Sequence, residues 1–212
     1  MSSATQQQPR LSLPLVLETG LRIADEEGLE ALTMRRLAAE LDVTTMATYT
    51  YVRTKEELVD AIAALVLADL PFDDRPGDTW ERRLEHVVHA LYTALREHPA
   101  VAQIVPSRRR PIPALDGFRE TLLTILDDAG FEPEISVQAV SALTSYAAGF
   151  AATAQARSEA RPDDEAARLR GLPRESFPRL SSSADLYARH ISEDAFLVGL
   201  RSFIAGLDAE RS

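Results

Sequence analysis

Thr33, Arg35, Thr44, Thr45, Met46, Tyr49, Thr50, Tyr51 and Lys55 crowd into one short stretch, TMRRLAAELDVTTMATYTYVRTK, residues 33–55. The set has neither a nucleophile beside a base nor the spacing of a metal site. It offers hydroxyls, one forked guanidinium, one ammonium and an exposed thioether, which is chemistry for touching a nucleic acid. The fork of Arg35 matches guanine O6 and N7, and Thr45, Met46 and Thr50 suit base edges or a thymine methyl. Thr33, Thr44, Tyr49, Tyr51 and Lys55 suit phosphates, through hydroxyls, a helix N-terminus and a cation. Arg36 and Arg53 can equally be solvated surface.

Two short helices and a turn must hold these groups. Thr33 is placed to cap the first, with Leu37, Ala38 and Leu41 on one face. Asp42 falls where the chain turns, a position that needs tolerance of the left-handed region. Val43 plugs the turn and Thr44 can cap a second helix from about Thr45 to Val52. That helix has little apolar surface and is marginal alone, so its neighbours must hold it. Before it, Ser12 can cap a helix to about Glu27 with Leu13, Val16, Leu17, Gly20, Ile23 and Ala24 as its stripe, Arg22 facing solvent, and Gly28 ending it. After it, Lys55 opens a helix with Leu58, Val59, Ile62, Leu65, Val66 and Leu70 in phase. PFDDRPGD, residues 71–78, reads as the domain boundary.

The LTMRRLAAELDV segment, a Tyr near the middle of the next helix, and the Lys that follows resemble the DNA-binding domain of the tetracycline-repressor (TetR) family of bacterial transcription regulators. The departures are Asp42 at the usual turn Gly, Thr48 at a usually apolar place and Val52 at a common aromatic. LPRESFPRL and the closing FLVGLRSFIAGL resemble that family's regulatory domain. The resemblance implies an all-α chain: a disordered arm over 1–11, a helix-turn-helix DNA-binding domain with its connecting helix over 12–70, and a ligand-binding and dimerisation domain over 71–212. It implies a homodimer on a palindromic double-stranded operator, released by a small-molecule effector. It also implies a base-reading Arg at the place of Arg35. In such proteins the last two long helices pair with their copies in a four-helix bundle, which makes Ala139, Leu143, Ala147, Phe196, Leu200, Phe203 and Leu207 the expected dimer interface. Tetracycline itself is not expected, because Val105 stands where tetracycline-binding members carry a magnesium-holding His.

The second half is helical throughout. Asp78 with Glu81 resembles a capping box, followed by Trp80, Leu84, Val87, Val88, Leu91 and Leu95 in phase. A short helix over Val101–Val105, one around Leu115–Leu126 ended by Gly130, a long small-residue helix from Pro133 to about Ala160, and a final helix follow. PSRRRPIP, residues 106–113, reads as a solvated basic turn, and residues 161–183 as a mobile polar excursion. Polar and aromatic residues on apolar helices, His89, Tyr92, Phe118, Tyr146 and Phe150, are the candidate effector pocket, with core packing as the competing reading. His86 and His89 have metal-like spacing but no third ligand, so neither metal nor cofactor is expected.

With 212 residues the chain can bury a sizeable core. It has no cysteine, which excludes disulfides and thiolate metal sites. It has no unbroken membrane-length apolar run and its first ten residues lack a signal-peptide core, so a cytoplasmic protein without a membrane partner is expected. The formal charge of −10 seems to oppose nucleic acid, and residues 1–70 alone carry −5. Residues 33–55, however, carry +2. With a screening length of about 8 Å at physiological salt, a groove-facing surface feels its local cations first. The pattern fits a specific binder with few phosphate contacts. A helical enzyme using a His with Glu85 or Glu97, or an interaction module without DNA binding, are the alternatives; no nucleophile motif or phosphate loop supports the enzyme.

Overall fold

The computed structural model describes residues 11–68, 70, 77–107, 112–158 and 162–209. All its regular elements are helices, and the chain divides into two compact units at 65/66. The arm, most of the boundary loop and most of the basic turn expected from the sequence lie outside the described residues.

The first unit contains α1 (Leu13–Glu27), α2 (Met34–Glu40), α3 (Thr45–Thr48) and most of α4 (Lys55–Ala68). Ser12 caps α1 through Leu15 N, and Gly28 closes it at φ 89°. Val16, Ile23, Leu32, Leu37, Val52, Leu58 and Ile62 form a core at most 1% exposed. Gly20 lets α1 approach α4: a Cβ there would lie 3.0 Å from Ile62 Cδ1. Leu13 departs from the expected stripe and is exposed, as the first helical residue lies beyond the core.

The second unit is built on α5 (Trp80–Glu97), α6 (Pro99–Ser107), α7 (Ala114–Asp128), α8 (Pro133–Ser158) and α12 (Glu193–Asp208). Helix α8 packs on α5, α6, α7 and α12, and α5 also meets α7 and α12. Trp80 meets Phe131 edge-on at 5.0 Å. Helix α8 has the length and mean hydropathy, 1.2 over Pro133–Ala156, of a membrane span. Its small residues and its one face packed on other helices explain this as a core helix.

Three expectations are corrected here. Helix α5 is capped at Thr79 without a side-chain bond, so Asp78 and Glu81 form no capping box. Residues 161–183 contain α9 (Pro162–Arg170) and α10 (Pro178–Ser182), with α11 (Ala184–Arg189) after them. These three pack on one another, and Leu169 and Ala184 supply apolar burial that the polar composition conceals. Finally, Ala139, Leu143, Ala147, Phe196, Leu200 and Leu207 are buried within their own subunit and Phe203 is half-buried. Side chains without exposed surface have none to bury against a partner, so the inward faces of α8 and α12 complete the subunit core.

Candidate nucleic-acid interface

Helix α3 is a single turn, Thr45–Thr48, rather than the helix to Val52 expected from the sequence; turns continue the chain through Tyr51. A helix of one turn does not form unaided, and four devices hold it. Asp42 takes φ 52° in the turn before it. The Thr44 hydroxyl accepts from Ala47 N at 3.3 Å. Thr48 is fully buried, and its hydroxyl donates to Thr45 O at 2.8 Å. Val52, 1% exposed, closes the segment against the core. The sequence's departures at Asp42, Thr48 and Val52 therefore still build the turn and its anchor.

What remains outside is the candidate contact surface. Met46 is 76% exposed and Tyr49 42%, and Thr50 is exposed beside them. Thr45 is half-buried. Thr33 caps α2 by accepting from Arg36 N at 3.1 Å; as acceptors, the Thr33 and Thr44 hydroxyls keep their protons for a phosphate.

The arginines divide sharply. Arg36 donates to Glu27 and Glu40, each at 2.6 Å, and Arg22 pairs with Glu40 and, at 3.1 Å, with Glu26. Hydrogen bonding to Arg36 holds both the Glu27 and Glu40 carboxyls below their ordinary value, and Arg22 adds to the effect on Glu40. These two arginines tie α1 to α2 and are already neutralised, which corrects the solvated reading of Arg22. Arg35 is exposed and has no ion-pair partner among the described residues. The one cation of α2 without a carboxylate is the one chosen for a base contact.

Two expected phosphate ligands are engaged inside the unit. The Tyr51 hydroxyl donates its only proton to Leu11 O at 2.8 Å, and Lys55 Nζ donates to Leu29 O at 2.8 Å. Tyr51 is thereby an anchor for the start of α1. Lys55 is half-anchored, with ammonium protons to spare.

In the second unit His89, Tyr92, Tyr146 and Phe150 meet, but around Phe196 rather than around a space. Tyr92 stacks on Phe196 at 3.9 Å and Tyr146 at 5.1 Å, while Phe150 approaches edge-on at 5.5 Å. The Tyr146 hydroxyl donates to Phe196 O at 2.9 Å. Burial pushes the Tyr92 and Tyr146 phenols up. His89 Nε2 lies 2.9 Å from a Glu193 carboxylate oxygen that caps the cluster. Phe118 is fully buried. These five residues are a packed aromatic core, and periodicity could not tell a ring facing a void from one facing another ring. A cleft of about 490 Å³ opens elsewhere, along α7 and α8, with Val105, Leu115, Arg119, Leu123, Val140, Thr144 and Ala148 among its walls. None of the five expected pocket residues lines it. A run of small residues facing α7 was the only signal for it in the sequence.

A capped helix, a left-handed turn and a one-turn second helix presenting a free arginine and exposed hydroxyls define a helix-turn-helix DNA-binding regulator with a larger helical body. Comparison with known proteins gives the family. Residues 16–62 match the bacterial regulatory proteins of the tetR family, and residues 71–211 match the tetracyclin repressor-like C-terminal domain. The chain belongs to the TetR family of transcriptional regulators. It is 38% identical over 150 residues to the HTH-type transcriptional repressor DrrR1 of Streptomyces coeruleorubidus, covering 68% of this chain and 54% of that one. It is 28% identical to the class D tetracycline repressor protein of Escherichia coli, covering 95% and 91%. Among solved structures, Streptomyces coelicolor ActR in complex with actinorhodin matches with a TM-score of 0.80 at 28% identity, covering 96% and 99%.

Proposed function

We propose that this chain is a ligand-responsive repressor that binds a palindromic operator as a homodimer and lets go when a small molecule fills the α7–α8 cleft. The observation that carries the DNA half is the division of the arginines: α2 neutralises Arg36 and leaves Arg35 open beside the exposed Met46, Tyr49 and Thr50. Arg35 reads a base, Thr45, Met46 and Thr50 touch base edges, and Thr33, Thr44, Tyr49 and Lys55 hold phosphates. Residues 12–70 act as the reading domain and 71–212 as the regulatory domain, in the cytoplasm where operator DNA lies.

The dimer reading moves to the outward faces of α8 and α12. Ala142, Ser145 and Gly149 of α8, with Val198, Ser202 and Ala205 of α12, are exposed and small or apolar. Small side chains permit close helix approach across a two-fold axis. The ligand complexes of ActR and of a TetR from Acinetobacter baumannii AYE, crystallised with minocycline, support an effector site in this domain. An effector shifts the operator equilibrium only by its differential affinity for the two states.

An electrophoretic shift on DNA flanking the chain's own gene tests the reading. Arg35→Ala and Tyr49→Ala are expected to abolish the shift while light scattering still reports a dimer. Retained binding in both variants removes the assignment of the reading surface.

A further inference from the structure

The charge of the cleft says more about its occupant than its position does. Arg119 is the one charged side chain among the residues lining it; the others are aliphatic, hydroxyl-bearing or Gly149. Its Nη1 donates to Asp116 Oδ1 at 2.9 Å, one helical turn back. Asp116 is 66% exposed and Arg119 40%, so the pair stands at the rim in water. Such pairs hold their partners weakly. The rest of the guanidinium meets no acceptor among the described residues. The Thr144 hydroxyl, deeper in the wall, donates back to Val140 O at 2.7 Å, so its proton is spent.

A neutral apolar occupant would strip water from this guanidinium without replacing it, which is costly. A cation would be repelled. We infer that the effector is an organic anion: an apolar body lying along α7 and α8, with a carboxylate or comparable acid that takes the free fork of Arg119. Arginine suits that role because its planar fork meets a carboxylate with two parallel hydrogen bonds. Exchange of the exposed Asp116 carboxylate for the effector's acid loses little, because the new pair is drier than the old. The formal −10 of the chain does not oppose this, since charges beyond about 8 Å are screened at physiological salt. The inference rests on the reading of the cleft as the effector site.

Anthracene-2-carboxylate and its carboxamide separate the two claims, being alike in shape, different in charge and fluorescent. Titrated against the full chain near neutral pH, the carboxylate should bind about tenfold tighter or more, the usual worth of a charge-assisted hydrogen bond. Arg119→Gln should erase that preference and leave the carboxamide affinity unchanged. Leu123→Trp, which fills the cleft from the partly exposed side of α7, should weaken both probes, with circular dichroism confirming an intact fold. If Leu123→Trp binds both as the wild type does, the probes sit elsewhere and the cleft reading falls, taking the anion with it. If Leu123→Trp blocks both but the wild type shows no preference, or Arg119→Gln keeps one, the cleft stands and the anion is wrong. A carboxylate that fails to bind the wild type also overturns the anion.

Discussion

Gly199→Ala sets two well-measured effects against each other. Helix propensity alone favours alanine inside α12 by about 0.8–1 kcal/mol. The structure opposes it, because a Cβ at Gly199 would overlap the Tyr146 hydroxyl and lie 3.0 Å from Tyr146 Cζ. The ring cannot retreat freely, since it stacks on Phe196 at 5.1 Å and donates to Phe196 O at 2.9 Å. Losing that hydrogen bond costs about 1 kcal/mol, and overpacking costs about 1–3 kcal/mol. Set against the propensity gain, the net loss is about 1–3 kcal/mol. At roughly 2–4 °C per kcal/mol for a chain of this size, Tm falls by about 2–12 °C. The assay is far-UV circular dichroism melting at one fixed protein concentration, because Tm of a dimer depends on concentration. Tyr146→Phe removes the overlapping hydroxyl, so in that background Gly199→Ala should cost at least about 1 kcal/mol less, measured as a double-mutant coupling. A rise in Tm for Gly199→Ala alone, or additivity of the pair, would refute the aromatic packing described for α5, α8 and α12.

Other consequences are as direct. Thr44→Ala removes the cap of α3 and should cost about 1 kcal/mol of stability in denaturant titration, with a larger fractional loss of operator affinity in the gel shift. Val198→Glu puts a charge on the proposed dimer face and should yield monomers by light scattering; a dimer as tight as the wild type would move the interface elsewhere. Acidification should loosen the first unit. Glu27 and Glu40 are held below the ordinary value of 4.5 by Arg36, so their contribution is complete above about that pH and is lost as pH falls through their lowered values. In Arg36→Gln, stability between neutral pH and pH 3, followed by circular dichroism, should fall less steeply than in the wild type.

Much of the reading head was legible because its signals are local. Ser12, Thr33 and Thr44 cap where their spacing places them, and Asp42 takes the left-handed turn. Local rules also marked the free face, since exposed threonines and a methionine have no use in a core. What failed was anything that depends on a partner distant in sequence. Tyr51 is forty residues from the Leu11 carbonyl it holds, and Lys55 is twenty-six from Leu29. Nothing in the pattern of residues 45–52 announces that two of its polar groups turn inward. The same limit shaped the regulatory half. Periodicity identified an apolar stripe on α8 and α12, but a stripe facing its own subunit and a stripe facing a copy have the same period.

That ambiguity carries a physical lesson about α8. Three of its sides have distinct chemistry at overlapping helical phases. Leu143 and Ala147 are fully buried in the subunit core, Val140 and Thr144 border the cleft, and Ala142 and Ser145 are exposed. A helix asked to serve a core, a ligand wall and a partner surface cannot show a single strong apolar face, so its small residues are spread around the whole barrel of the helix. Small residues pack closely on every side, which lets one rod serve all three. The arrangement makes α8 a sensitive relay: a ligand that displaces Val140 or Thr144 by a fraction of an ångström must move Ala142 and Ser145 as well, because a helix with no flexible side-chain layer moves as a body. On this argument a bulky residue on the exposed face, such as Ala142→Leu, should weaken the link between cleft occupancy and operator release more than it weakens either binding event alone.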